Sequence, residues 1–186
     1  MAHQDELVRD DAPITSSKSI DPDWALSAEA VTIARAPDEL YAFWRDVNNL
    51  PKFVESLADI EKIDEQRSRW TVKAPGGKTV SWESIITNDL PGQAISWQSA
   101  EGADVPNRGK VEFRDAGQRG SVVRVVIAYD PPAGVVGKLV AKMFQREPRI
   151  QSRRDLRRFK QLMETGEIAT NARNPKMLAE QEGDDQ

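Results

Sequence analysis

The chain has 186 residues, 39% of them hydrophobic and 30% charged, with a net charge of −4, no cysteine and a single histidine, His3. These counts exclude disulfides, thiolate nucleophiles and Cys-ligated metals, and they leave no folded histidine for Ser-His-Asp, Cys-His or His-metal chemistry. No metal or cofactor is therefore expected, and any catalysis would rest on carboxylates, Tyr41, Tyr129, lysine or bound water.

The length suits one domain with tails. Residues 1–25 are polar and acidic, carry no apolar stretch of the kind found in a signal peptide, and read as a disordered tail. No apolar run reaches the roughly 18 residues that a membrane-spanning helix needs, and the lack of cysteine fits a cytoplasmic location, with peripheral membrane contact as the variant. Ordered sequence begins near Trp24. Residues 28–36, AEAVTIARA, alternate as a strand with Val31 and Ile33 on one face. Pro37 and Asp38 then open a short helix striped by Leu40, Phe43, Trp44 and Val47. Asn48, Asn49 and Pro51 interrupt it, and a second short turn holds Phe53 and Val54.

A train of strands follows, separated by turn signals. Residues 57–64 form the first. Residues 69–74 place Trp70 and Val72 together, and Pro75-Gly76-Gly77 turns the chain. Residues 79–87 align Val80, Trp82, Ser84 and Ile86. Residues 94–99 align Ile95, Trp97 and Ser99. Residues 110–114 align Val111 and Phe113, and residues 121–129 align Val123, Val125, Ile127 and Tyr129. The opposite faces are mostly polar, so this is an antiparallel sheet with one wet face and one apolar face. The glycine pairs are hairpin turns, since no strand–loop–helix unit surrounds them to make a phosphate cradle.

A helical block closes the pattern. Val136, Leu139, Val140, Met143 and Phe144 share one face, and Leu156, Phe159, Leu162 and Met163 share another that is out of phase with it. Two segments are therefore expected, about 134–146 and 148–165, kinked at Pro148 and ended by Gly166. Between Lys138 and Lys160 lie nine basic residues against only Glu147 and Asp155. The cations Arg149, Arg153, Arg157 and Lys160 are expected to face solvent. They are either the wet side of a core helix or a surface that docks on an anionic membrane or acidic partner. The acidic pI and the lack of interleaved aromatics argue against nucleic acid or a ribosome as the partner. Residues 168–186 read as a second disordered tail.

The order of strand, two short helices, six strands and long C-terminal helix resembles the START-like (SRPBCC) helix-grip fold. The stretches ARAPDELYAFWRDVNNLPKFV, WQSAEGADVPNRGKVEF, VRVVIAYDPPAG and DLRRFKQLMETGE are similar to the bacterial polyketide cyclase/dehydrase branch, which shares its profile with the coenzyme Q-binding START domain. The resemblance covers about residues 26–167. It implies an α+β domain in which a curved antiparallel sheet of about seven strands wraps a long C-terminal helix over an apolar cavity. It does not single out a ligand.

Under that resemblance Trp44, Trp70, Trp82, Trp97, Val111, Phe113, Tyr129, Val140, Met143 and Phe144 become candidate walls of a pocket for a lipid, an isoprenoid quinone or a polyketide-like ring. The plain alternative is core packing. Ser99, Glu101, Asp104 and Asn107 lie where a strand exits into a loop. Glu101 is a candidate general base and Tyr129 a candidate donor to a ligand carbonyl, as a cyclase- or dehydrase-type enzyme would need. The alternatives are a solvated loop and a core tyrosine.

Overall fold

The period-2 alternation of the central chain produces one seven-stranded sheet. The structure, a computed structural model, describes residues 25–130 and 148–168. Strand β1 (Ala25–Ile33) leads into helix α1 (Pro37–Arg45) and a 3-10 turn (Val47–Lys52). Then come β2 (Leu57–Lys62), β3 (Arg67–Ala74), β4 (Lys78–Leu90), β5 (Ala94–Ser99), β6 (Asn107–Asp115) and β7 (Ser121–Tyr129), and finally helix α2 (Pro148–Thr165). Strands β2 to β7 meander, each paired with the next, and β1 closes on β7, giving the order β1-β7-β6-β5-β4-β3-β2 with every pair antiparallel. This is the expected helix-grip arrangement: a curled half-barrel with α2 on its concave face.

Curvature has local causes. The β4–β5 register shifts between Ile86 and Asn88, and the β2–β3 register shifts between Leu57 and Asp59. Such irregularities bend a strand and raise its twist. Between β6 and β7, Gly120 has φ 90° and lies so close to the Ile33 carbonyl and the Ala34 backbone that a Cβ would collide with them. The turn thereby packs onto the end of β1.

Helix α1 starts as its sequence predicts, with Pro37 in the first turn, Asp38 and Glu39 beside the N-terminus and Arg45 in the last turn. Its aromatic stripe meets the C-terminal helix. The Phe53 and Phe159 rings lie 4.7 Å apart, Trp44 stands edge-on to Phe159 at 5.1 Å, and Phe43 lies 5.9 Å from Phe159. Phe159, Phe53 and Leu40 are wholly buried. Leu156 and Phe159 thus anchor α2, as its apolar stripe predicts.

Polar contacts fix the helix in register. Glu164 Oε1 accepts the Ala34 N–H at 2.7 Å. Lys160 donates to the Thr32 carbonyl at 2.7 Å, and Arg158 Nε donates to the Phe53 carbonyl at 3.1 Å. This corrects the expectation that every cation from Arg149 to Lys160 faces solvent. Arg153, Arg154 and Arg157 are exposed, whereas Arg158 and Lys160 are half-buried and turned inward. The reason is that the Thr32 carbonyl of β1 and the Phe53 carbonyl just after the 3-10 turn lie within reach of α2, and a charged donor makes a strong hydrogen bond to a carbonyl. The side chain of Arg149, the segment 134–146 and the kink expected before Pro148 lie outside the described residues. Pro148 itself is the first residue of α2, a position that tolerates its missing N–H. Gly166, with φ 79°, ends the helix, its N–H donating to the Leu162 carbonyl at 2.8 Å.

Candidate functional site

The concave face is not filled solidly by the described side chains. Two lobes open between the sheet, the α1–3-10 segment and α2, with volumes of about 120 Å³ and about 130 Å³. They share Val54, Trp70, Trp97, Ile127, Ser152 and Asp155, so they are two halves of one space. Each is close in size to the roughly 150 Å³ apolar cavity that takes up a single benzene ring.

Register places the wall. Trp70 on β3 is directly opposite Trp82 on β4, and Trp97 on β5 pairs with Ile86 on one side and Gly109 on the other. The indoles of Trp82, Trp70 and Trp97 run nearly parallel, 6.5 Å and 6.4 Å apart with tilts of 21° and 18°. Gly109 makes this possible. A Cβ there would lie 2.8 Å from Trp97 Cη2 and nearer still to Cζ2 and Cε2, so the ring lies flat over bare backbone. Trp70 Nε1 donates to Ser68 Oγ at 2.8 Å.

A band of small polar groups crosses this apolar wall. Ser68, Ser84 and Ser99 stand in register on β3, β4 and β5, and Asn107 pairs with Tyr129 on β6 and β7. Ser68 and Ser84 line the first lobe; Asn107 and Tyr129 line the second. Ser99 accepts the Asn107 N–H at 3.1 Å, and Asn107 Nδ2 donates to the Val105 carbonyl at 2.9 Å. Burial pushes the Tyr129 phenol above its ordinary pKa.

The expected site residues therefore divide. Trp44, Trp70, Trp82, Trp97 and Tyr129 line the cavity. Val111 and Phe113 share the face but not the cavity: Val111 is wholly buried, and Phe113 packs edge-on against Tyr41 at 6.1 Å and Trp44 at 6.3 Å. They belong to the packed end of the half-barrel, where α1 plugs it. Glu101 lies exposed in the β5–β6 loop and lines neither lobe, and Asp104 is likewise exposed. Val140, Met143 and Phe144 lie outside the described residues.

The structure adds Asp155, whose role sequence reasoning missed. It lines both lobes from α2, and its Oδ1 accepts the Glu55 N–H at 3.1 Å. Burial pushes its carboxyl up to about 7, against the lowering effects of the Glu55 N–H and of nearby Arg158. The signal available in the sequence was its isolation: it is the one acid in the run from Pro148 to Met163. At the far end of the first lobe, Arg45 pairs with Asp89 at 2.7 Å, and Tyr41 donates to the same carboxylate at 2.6 Å.

Comparison with known proteins bears on this geometry. Residues 33–157 match the family model described as polyketide cyclase/dehydrase and lipid transport. The chain belongs to that family. Its structure is similar to DR_A0006 from Deinococcus radiodurans, with 42% identity over 77% of this chain and 100% of that one, at a TM-score of 0.63. It is similar in fold to TTHA0849 from Thermus thermophilus, at 21% identity over 74% of this chain and 94% of that one, TM-score 0.59. It is also similar in fold to the Zhui aromatase/cyclase from Streptomyces sp. R1128, at 15% identity over 78% of this chain and 99% of that one, TM-score 0.60. Among curated proteins no match is found. Among the described residues no helix is long and apolar enough to cross a membrane.

Proposed function

We propose that this member of the polyketide cyclase/dehydrase and lipid transport family binds a hydrophobic small molecule between the sheet and α2. A flat apolar body, such as a polyketide-like ring system or the head of an isoprenoid quinone, would lie against the Trp70 and Trp97 indoles. The observation that carries this reading is the two-lobed space walled by near-parallel indoles. Removing a ligand's apolar surface from water there contributes about 25 cal/mol per Å², and the wall costs little ordering on binding because its rings are already packed. The test is quenching of tryptophan fluorescence on titration with a tricyclic aromatic or a short-chain quinone. Trp70→Ala should abolish the site while the far-ultraviolet circular dichroism remains. An unchanged fluorescence signal with both probe classes would remove the reading.

A second reading, a cyclase- or dehydrase-type enzyme in the same cavity, is supported by Asp155. A carboxyl with a pKa near 7 can give and take a proton at neutral pH. Loss of turnover on a poly-β-keto thioester in Asp155→Asn, with binding retained, would separate catalysis from carriage.

The exposed Arg153, Arg154 and Arg157 support a further element of the proposal, peripheral docking of a cytoplasmic protein on an anionic lipid surface. Each cation near such a surface contributes about 1 kcal/mol.

A further inference from the structure

Six residues line both lobes, and they define the waist between them. Four are apolar: Val54, Trp70, Trp97 and Ile127. The other two, Ser152 and Asp155, are three residues apart on α2 and so lie on one face of it. Ser152 Oγ accepts from Ser27 Oγ at 3.1 Å. Asp155 is the one carboxyl lining either lobe among the described residues, and its single hydrogen bond there is the Glu55 N–H on Oδ1, which leaves Oδ2 without one. Each lobe has room for about one aromatic ring. Of the polar side chains that α2 brings to the cavity among the described residues, Gln151 lines the second lobe alone, while Ser152 and Asp155 lie where the two rings of a ligand would join.

We propose, resting on the cavity-binding role above, that Asp155 is a specificity-determining residue that donates a hydrogen bond to a carbonyl or ether oxygen joining the two apolar halves of the ligand. The favoured class is a planar ketone or quinone flanked by rings. Plain hydrocarbons lose that bond. Ligands with a carboxylate at the waist would place an anion against an acid.

The donor must be the protonated acid. Among the described residues the other ionisable groups near it are few. Arg45 of α1 lines the first lobe and is held by Asp89, and Arg158 of α2 itself is held by the Phe53 carbonyl. Glu55, in the turn before β2, presents its backbone N–H. Tyr129 of β7 lines the second lobe, and Glu29 of β1 is buried on the face that α2 covers. Burial dominates, and the carboxyl loses its proton near pH 7. Below that pH it can donate; above it, it can only accept.

The experiment compares fluorene with 9-fluorenone, two tricyclic probes of the same outline that differ by one central carbonyl. Binding is read by tryptophan quenching at pH 5.5 and pH 8.5. The ketone should bind about tenfold more tightly than the hydrocarbon at pH 5.5, the equivalent of one net hydrogen bond. That preference should vanish at pH 8.5, while fluorene binding stays constant. Asp155→Asn keeps a donor and should retain the preference at both pH values; Asp155→Leu should lose it at both. Equal binding of the two probes by wild type at pH 5.5 overturns the inference and leaves the cavity-binding role intact. Binding of neither probe overturns both.

Discussion

Replacing Gly109 by alanine should damage ligand binding more than it damages folding. The added methyl would start within 2.8 Å of the Trp97 ring, whereas carbon atoms rest at about 3.5–4.0 Å. Cζ2 lies closest of all, so the ring must retreat by roughly 1.5 Å. The backbone at 109 tolerates alanine, and the colliding atoms belong to the six-membered ring of an indole side chain, which can swing. It can swing only away from β6, toward Trp70 and the space both lobes share. Overpacking of this kind costs about 1–3 kcal/mol. Where the ring yields, the fold loses an amount near the lower figure, while the ligand, needing a lobe barely one ring wide, meets the larger one. Urea denaturation should show a loss of about 1 kcal/mol. Titration with a tricyclic probe should show about 5- to 150-fold weaker binding. The reasoning is refuted if Gly109→Ala binds the probe as wild type does, because the close approach of Trp97 to bare backbone would then be irrelevant to the cavity.

Three further outcomes are expected. Phe159→Ala, at the centre of the Phe43–Trp44–Phe53 cluster, should lower stability by about 3–5 kcal/mol in urea titrations; a loss under 1 kcal/mol would mean that α2 is anchored elsewhere. Asp155 has a folded pKa near 7, above its unfolded value near 3.9, so its contribution to stability is full below pH 4 and lost as pH rises to about 7. Because the side chain is partly exposed, the loss is roughly 2–4 kcal/mol; Asp155→Asn should remove that slope, and parallel stability curves for wild type and variant would contradict it. Flotation with anionic liposomes should fall when Arg153, Arg154 and Arg157 become Glu and when salt is raised; Lys160 is left alone because it holds Thr32, and flotation indifferent to both changes would reduce the exposed cations to a solvated face.

Much of the fold was legible because alternation is a local signal. Val80, Trp82, Ser84 and Ile86 share a face in any register, and the sheet only had to find neighbours for that face. Depth along the face was not legible. Phe113 and Trp97 read alike in sequence, yet α1 fills the end of the half-barrel over Phe113 and leaves Trp97 on open space. The inward turn of Arg158 and Lys160 was hidden for a related reason: the carbonyls they serve, Phe53 and Thr32, are more than a hundred residues away in the chain. Asp155 looked like charge balance in a basic run because nothing local shows that the loop at Glu55 and the cavity wall bury it. Period and composition give faces. Partners distant in sequence decide which part of a face becomes a site.

The pairing of β1 with β7 also sets a schedule for biosynthesis. Val31 meets Val123 across about ninety residues of intervening chain. At roughly 5–20 residues per second of synthesis, β1 waits about 5–20 s before its partner strand exists. During that interval Val31 and Ile33 have no sheet to cover them, and the strand's unpaired N–H and C=O groups are open to other chains. Contacts so distant in sequence also slow the final closure. The protein therefore depends on whatever shields its first strand during those seconds, and crowding several nascent copies on one message should lower its folded yield more than dilution of the finished chain would suggest.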